Sequence, residues 1–150
     1  MSLFKEEAIP LIQYNSQTKK YNINEQTIQI IKQIPKPIGV ISVAGAYRTG
    51  KSYLLNRLLL NKSGGFGVGP TVNPCTKGIW VWGSPIKGQT SDGESINILV
   101  MDSEGIGSTE EDITHDTRIF SLAILLSSTF IYNSMSSIDG MYNISKTPIK

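Results

Sequence analysis

The chain contains the segment Gly45-Ala46-Tyr47-Arg48-Thr49-Gly50-Lys51-Ser52, which matches the pattern G-x-x-x-x-G-K-[ST] at every fixed position. Glycines in this pattern let the backbone fold tightly enough for its N–H groups to surround phosphate oxygens. We expect Lys51 to reach the β- and γ-phosphates of a nucleotide and the Ser52 hydroxyl to bind Mg²⁺. In a chain of this length a chance match arises roughly once in two hundred sequences, so the segment predicts a phosphate-binding loop.

The residues on either side of this loop give it the context that it requires. Before it stands an apolar, β-branched run over 38–44, typical of a buried parallel strand. After it, residues 51–60 predict a helix whose apolar face carries Leu54, Leu55, Leu58 and Leu59. The positive end of that helix dipole would point at the bound phosphates.

Apolar periodicity and turn residues divide the rest of the chain. They predict an irregular arm over 1–22 with short extended pieces around Ile9–Gln13 and Lys20–Ile23. They also predict a helix over 25–34 capped by Asn24 or Asn22, and a Gly-rich loop over 64–74. They also predict strands at 78–83, 96–101 and 129–132, a polar turn at 84–94 and a helix at 114–127. This order favours an α/β fold, the three-layer P-loop NTPase fold with a mainly parallel central sheet. We divide it into an arm and helix, 1–37, and a P-loop core, 38–150.

Two further segments carry residues that suit a nucleotide and a metal ion. Asp102 ends a predicted strand and begins the D-x-x-G sequence Asp102-Ser103-Glu104-Gly105, so its carboxylate is a candidate for holding Mg²⁺ and the Gly105 N–H for sensing the γ-phosphate. Thr76 lies in the predicted loop between helix and strand, where a switch threonine supplies a second hydroxyl to Mg²⁺. Alone, D-x-x-G is usually a turn, and a threonine in a loop is ordinary.

Composition excludes several classes of protein. A net charge of +2 is too small to indicate nucleic acid or an anionic membrane as the main partner. The most apolar stretch, 119–132, is shorter than the roughly 20 residues of a membrane span, so we expect no membrane segment and a cytoplasmic location. Cys75 is the single cysteine, and we interpret it as an inert small residue. We interpret the single histidine, His115, as a surface residue at the start of a helix.

Four stretches occur together in the chain: VAGAYRTGKSYLLN at 43–56, TKGIW at 76–80, MDSEG at 101–105 and LLSSTFIYN at 125–133. Together they resemble the guanylate-binding-protein and atlastin group of large GTPases in the dynamin superfamily. The resemblance runs from about residue 8 to residue 140. It implies a domain that binds GTP with Mg²⁺, hydrolyses it, and forms a nucleotide-dependent homodimer or a heterodimer with a related GTPase.

The resemblance also implies a role for individual residues. Arg48 would act as an arginine finger supplied by the same chain, and Glu104 would belong to the network that positions the attacking water. The implied catalytic set is Arg48, Lys51, Thr76 and Glu104. The implied nucleotide-binding set is Gly45, Tyr47, Arg48, Thr49, Gly50, Lys51, Ser52, Tyr53 and Gly105. The implied metal ligands are Ser52, Thr76 and Asp102. Without the resemblance, Arg48 is as readily a solvated loop residue, and Glu104 a surface acid.

Two features depart from the family pattern. Pro74 stands two residues before the switch threonine, where many members have a serine that helps to orient the attacking water. Guanine specificity comes from an [NT]-K-x-D motif or, in this family, an Arg-Asp pair, and neither occurs here. We therefore expect the fold to be C-terminally incomplete. These departures favour an alternative, a non-catalytic module that binds nucleotide phosphates or dimerises with a full-length relative. A third hypothesis is an ATP-using P-loop enzyme.

Overall fold

The computed structural model describes residues 4–15, 17–46, 49–67, 78–103, 105, 107 and 113–134. Its strands are β1 (Ala8–Asn15), β2 (Lys20–Ile23), β3 (Ile38–Gly45), β4 (Ile79–Trp82), β5 (Ile86–Gln89), β6 (Ser95–Ser103) and β7 (Thr129–Asn133). Its helices are α1 (Glu25–Lys32), α2 (Lys51–Leu54) and α3 (Ile113–Leu126), and a π-helix, Leu55–Leu59, continues directly from α2. None of the described helices is long and apolar enough to cross a membrane.

The described strands form one seven-stranded sheet in the order β2-β1-β4-β6-β3-β7, with β5 beside β6. β3 is central to its parallel part, since it pairs in parallel with both β6 and β7. β1, β2, β4 and β5 join by antiparallel pairing. The predicted α/β class is therefore confirmed, and the parallel strands are those around the predicted phosphate-binding loop.

Two hydrophobic clusters lie on opposite faces of this sheet. The first cluster consists of residues from β1, β4, β6 and α3 and of one residue just after α1. Its buried members are Leu11, Ile12, Ile34, Ile79, Val81, Leu99, Met101 and Ile119. The second packs the π-helix and the following loop against the other face; its buried members are Val43, Leu55, Leu60, Phe66, Trp82 and Val100. Successive residues of β6 alternate between the clusters, as strand geometry requires. The arrangement has the three predicted layers.

The start of α1 follows its predicted cap. The Asn24 side chain accepts a hydrogen bond from the Thr27 N–H at 3.0 Å, which satisfies one of the free donors at the helix N-terminus. Thr27 is itself buried, and its hydroxyl donates to the Pro10 carbonyl at 2.7 Å. This bond attaches α1 to β1, so the first helix is fixed to the same sheet as the loop.

Two predicted stretches belong to the sheet, which the sequence does not indicate. The two extended pieces predicted within the arm are confirmed as β1 and β2, which pair antiparallel with each other, and β1 then pairs with β4. The polar turn over 84–94 contains the short strand β5, which pairs with β6. Both pairings depend on partners elsewhere in the chain, and the local sequence therefore carries little signal for them.

The helix predicted over 51–60 changes its hydrogen bonding after one turn. The Leu60 N–H donates to the Leu55 carbonyl at 3.1 Å, the i→i+5 bond of a π-helix. The wider turn alters which side chains face the sheet, because the 3.6-residue period no longer applies. Leu55 is fully buried, whereas Leu58 is 72% exposed and does not belong to the apolar face that the spacing predicts.

The π-helix turns a polar side chain inward, and that side chain binds the following loop. Asn56 is 1% exposed. Its Oδ1 accepts from the Phe66 N–H at 2.9 Å, and its Nδ2 donates to the Phe66 carbonyl at 3.1 Å. The backbone carbonyl of Asn56 also accepts from the Lys62 N–H at 2.8 Å. One asparagine therefore holds both ends of the short segment 62–66 against the sheet.

His115 corrects a further interpretation, because it is a buried residue and not a surface one. It is 2% exposed, and its ring lies 4.1 Å from that of Tyr14 and 5.7 Å from that of Tyr21, measured between centroids. The Tyr21 hydroxyl and His115 Nδ1 are 2.8 Å apart, a hydrogen-bond distance. These aromatic contacts join α3 to the β1–β2 pair, which the sequence did not predict to be part of the sheet.

Candidate nucleotide-phosphate site

Several predicted site residues that the structure describes lie at the carboxyl ends of the parallel strands. β3 ends at Gly45, where the loop begins, and Val43 of β3 is paired in register with Asp102 of β6. On the other side of β3, Gly45 is paired with Asn133, the last residue of β7. Ligands of open α/β sheets bind at this edge, because the loops that follow parallel strands converge there.

Glycines are needed at two positions of the loop for two different reasons. A Cβ atom added at Gly45 would overlap the carbonyl oxygen of Asn133, so the close approach of β7 excludes any side chain. Gly50 has open space around it but a φ of 82°, in the left-handed region that favours glycine. Gly50 is the residue from which α2 starts, and its carbonyl accepts from the Leu54 N–H at 2.8 Å.

The lysine of the motif is folded back onto the loop. Lys51 is 6% exposed, and its Nζ donates to the Ala46 carbonyl at 2.9 Å. The Thr49 hydroxyl donates to the same carbonyl, also at 2.9 Å. A buried ammonium group carries three donors and strongly favours a nearby anion. This position concentrates positive charge at the start of α2.

The serine of the motif and the aspartate of D-x-x-G are brought together. The Ser52 hydroxyl donates to Asp102 Oδ2 at 2.5 Å, although the two residues are 50 positions apart in the sequence. Asp102 is 0% exposed. A hydroxyl and a carboxylate are hard oxygen ligands, and Mg²⁺ in phosphate sites commonly uses one or two such ligands together with waters and substrate oxygens. The pair fits Mg²⁺ in its donor chemistry.

In the described part of the chain, no group of three or more His, Cys, Asp and Glu side chains could hold a metal ion. The Ser52–Asp102 pair is smaller than such a group. A metal ion bound by this pair would complete its coordination with oxygens of the nucleotide and of water.

The other predicted site residues divide into two groups. Tyr47, Arg48, Thr76 and Glu104 lie outside the described residues. Gly105 is described and buried, three positions beyond Asp102. Tyr53 is 54% exposed on α2, and the Arg57 guanidinium lies 5.6 Å from the centre of its ring. The structure thus brings Gly45, Thr49, Gly50, Lys51, Ser52 and Asp102 together and leaves Tyr53 on the exposed side of the helix.

Asn133 also touches the loop, although no motif of the sequence assigns it a role. Its Nδ2 donates to the Thr49 carbonyl at 2.8 Å. A signal for it was present: the apolar run Phe130-Ile131-Tyr132 ends in a polar residue at the point where a parallel strand reaches the loop edge of the sheet.

The chain is similar to known proteins over most of its length. Residues 18–142 match the family model described as "Guanylate-binding protein, N-terminal domain". The chain is 41% identical over 131 residues to guanylate-binding protein 7 of Mus musculus, with 87% of this chain and 20% of the relative covered. It is 46% identical over 117 residues to guanylate-binding protein 5 of Mus musculus, covering 77% and 19%. It is 44% identical over 118 residues to guanylate-binding protein 2 of Homo sapiens, covering 78% and 19%.

The chain thus spans about a fifth of the length of the relatives that it matches. The matched region contains the predicted phosphate-binding loop, both residues of the Ser52–Asp102 pair and Asn133. On the family match and on these identities, the chain belongs to the guanylate-binding protein N-terminal domain family.

Proposed function

We propose that this chain binds the phosphates of a guanine nucleotide with Mg²⁺ and contributes to GTP hydrolysis as part of a large-GTPase domain. One observation carries the proposal: Lys51, Ser52 and Asp102 meet at the carboxyl ends of β3 and β6, around a glycine-bounded loop at the start of α2. The relatives support the guanine base, because they are named guanylate-binding proteins.

Lys51 carries the electrostatic part of phosphate binding. Its Nζ now donates to the Ala46 carbonyl, and the same ammonium group would turn to the β- and γ-phosphate oxygens of the nucleotide. Exchange of a neutral carbonyl for charged phosphate oxygens adds the attraction between opposite charges to the hydrogen bond. The loop N–H groups and the start of α2 would provide further donors to the same oxygens.

Ser52 and Asp102 would hold Mg²⁺, which when bound neutralises charge on the β- and γ-phosphate oxygens. The Ser52 hydroxyl would give up its hydrogen bond to Asp102 Oδ2 and present its oxygen to the ion. Asp102 is fully buried, and a cation beside it would offset the cost of keeping a carboxylate out of water. In the proposal, neither the new partner of the Ser52 hydroxyl nor the cation beside Asp102 requires the strands to move.

Hydrolysis depends on residues that we assign from the family alone. In the proposal Arg48 stabilises the charge of the departing γ-phosphoryl group, Thr76 adds a hydroxyl ligand to Mg²⁺, and Glu104 helps to position water. Tyr47 and Gly105 complete the nucleotide contacts. We further propose that 1–37 and 38–150 act within one GTPase domain, and that nucleotide promotes dimerisation with a second copy or with a related GTPase.

A second candidate function is a non-catalytic module that holds nucleotide phosphates or docks on a full-length relative. One observation favours it. Pro74 has neither a hydroxyl nor an N–H at the position where many relatives carry a serine. This module would bind GTP and ATP with similar affinity and release no phosphate.

The test is a titration of the purified 150-residue chain with fluorescent GTP and ATP analogues in the presence of Mg²⁺, followed by a phosphate-release assay. We expect tighter binding of GTP. The Lys51→Ala variant should weaken binding roughly 10- to 100-fold, because a hydrogen bond to a charged group contributes about 1.5–3 kcal/mol. Lys32→Ala is the matched control, since Lys32 is an exposed residue in the last turn of α1.

The outcomes separate the two candidates. GTP-selective binding with phosphate release supports the GTPase. Equal binding of both nucleotides without phosphate release supports the non-catalytic module. If Lys51→Ala binds nucleotide as tightly as Lys32→Ala does, the loop is not the phosphate site, and both the GTPase and the phosphate-holding module fail.

A further inference from the structure

One residue of β7 contacts both ends of the phosphate-binding loop. At the first end, the Asn133 carbonyl oxygen lies so close to the Gly45 Cα that a Cβ there would overlap it. At the other end, the Asn133 side chain donates from Nδ2 to the Thr49 carbonyl at 2.8 Å. The two contacts span the loop from its first glycine to the residue before Gly50.

The backbone partner of this bond is at a critical place in the loop. Thr49 directly precedes Gly50, the left-handed residue from which α2 starts. The Thr49 hydroxyl donates to the Ala46 carbonyl, which also accepts a hydrogen bond from Lys51 Nζ. A bond that fixes the Thr49 carbonyl therefore also fixes the direction of the next N–H groups, which a phosphate-binding loop must point inward.

Asn133 is well placed to impose this geometry because it is held by the sheet. It is paired in register with Gly45 in the parallel β3–β7 ladder, and its side chain is partly buried. A short side chain on a strand has few rotatable bonds, so little entropy is lost when it is fixed. The strand thus presents a rigid donor to the loop.

We infer that Asn133 is a positioning residue that shapes the phosphate-binding loop for its ligand by holding the Thr49 carbonyl. This inference rests on the proposed function, which names the ligand of the loop. The contacts that Asn133 makes do not themselves require a bound nucleotide. It differs from the motif residues, since Asn133 acts on the loop backbone and not on phosphate.

The test compares Asn133→Asp and Asn133→Ala with wild type in the full 150-residue chain. Asn133→Asp keeps the size of the side chain but places a carboxylate oxygen against the Thr49 carbonyl. Asn133→Ala removes the donor without adding repulsion. Asn22→Asp is the matched control for the added charge, because Asn22 is exposed on β2 at the far edge of the sheet.

The first readout is hydrogen exchange of the nucleotide-free protein, measured on the peptide that covers residues 45–52. Loss of one hydrogen bond should speed exchange of this peptide roughly 2- to 12-fold in Asn133→Ala. Exchange of the same peptide should be faster still in Asn133→Asp. The peptide that covers β4, residues 79–82, should exchange as in wild type. The second readout is the Kd for GTP with Mg²⁺, which should rise in the same order of variants.

Two results would overturn the inference: unchanged exchange over 45–52 in both variants, or equal acceleration over 45–52 and 79–82, which indicates general destabilisation. The exchange readout does not depend on nucleotide. If wild type binds no GTP, the proposed function fails, while faster exchange confined to 45–52 still supports the role of Asn133 in shaping the loop.

Discussion

Asn56 offers the sharpest test of how the π-helix stabilises the region beside the site. The perturbation is Asn56→Ala, which removes the two side-chain hydrogen bonds to Phe66, at 2.9 and 3.1 Å. It leaves a buried N–H and a buried carbonyl without those partners. A hydrogen-bonding group left unsatisfied on burial costs about 1–3 kcal/mol.

The expected loss in the free energy of unfolding is about 2–4 kcal/mol, taking the lower part of that range for each group. The neighbouring Gly65 and Gly67 are exposed, so water can reach part of the loop and limit the cost. The loss is still a large share of the roughly 5–15 kcal/mol that stabilises an ordinary domain. Urea unfolding followed by tryptophan fluorescence measures it, because the Trp82 ring lies 5.7 Å from that of Phe66.

Asn22→Ala is the control, since a substitution at an exposed position away from special features usually changes stability by less than about 0.5 kcal/mol. A second readout is trypsin cleavage after Lys62, which should become faster in Asn56→Ala as the loop opens. Asn56 does not stabilise the loop if Asn56→Ala unfolds at the same urea concentration as Asn22→Ala and is cleaved after Lys62 at the wild-type rate.

Two other substitutions test the fold in the same urea assay. Leu55→Ala should cost about 2–5 kcal/mol because Leu55 is fully buried, whereas Leu58→Ala should be nearly neutral at 72% exposure; equal losses would show that the π-helix assignment is wrong. Tyr21→Phe should cost about 0.5–1.5 kcal/mol because it removes the hydroxyl that meets His115 Nδ1, and a stability equal to wild type would argue against that bond.

The sequence predicted best those elements whose signals are local. The Asn24 cap, the strand before the loop and the helix near 113–126 depend on neighbouring residues, and their boundaries came within a residue or two. The sequence indicated Ser52 and Asp102 as candidate ligands of Mg²⁺, and the structure brings the two side chains into contact. Both residues belong to motifs that parallel strands bring to one edge of the sheet.

The sequence did not predict features that depend on distant partners. β1 pairs with β4, about 70 positions later, and no local pattern in residues 8–15 announces that pairing. The spacing of the leucines after Lys51 indicated a regular α-helix, whereas the buried Asn56 and its bonds to Phe66 favour a π-helix. His115 likewise is buried, and it contacts the rings of Tyr14 and Tyr21 from the β1–β2 pair.

The contact between Asn133 and Thr49 has a consequence for the order of events during synthesis. The two residues are separated by 84 positions, so the ribosome needs roughly 4 to 17 s to add the second after the first, at 5–20 residues per second. Throughout that interval the motif is already made but lacks the strand that fixes its shape. A nascent chain would therefore become able to bind phosphate only when β7 joins β3, and nucleotide present at that moment would favour the correct pairing of those strands.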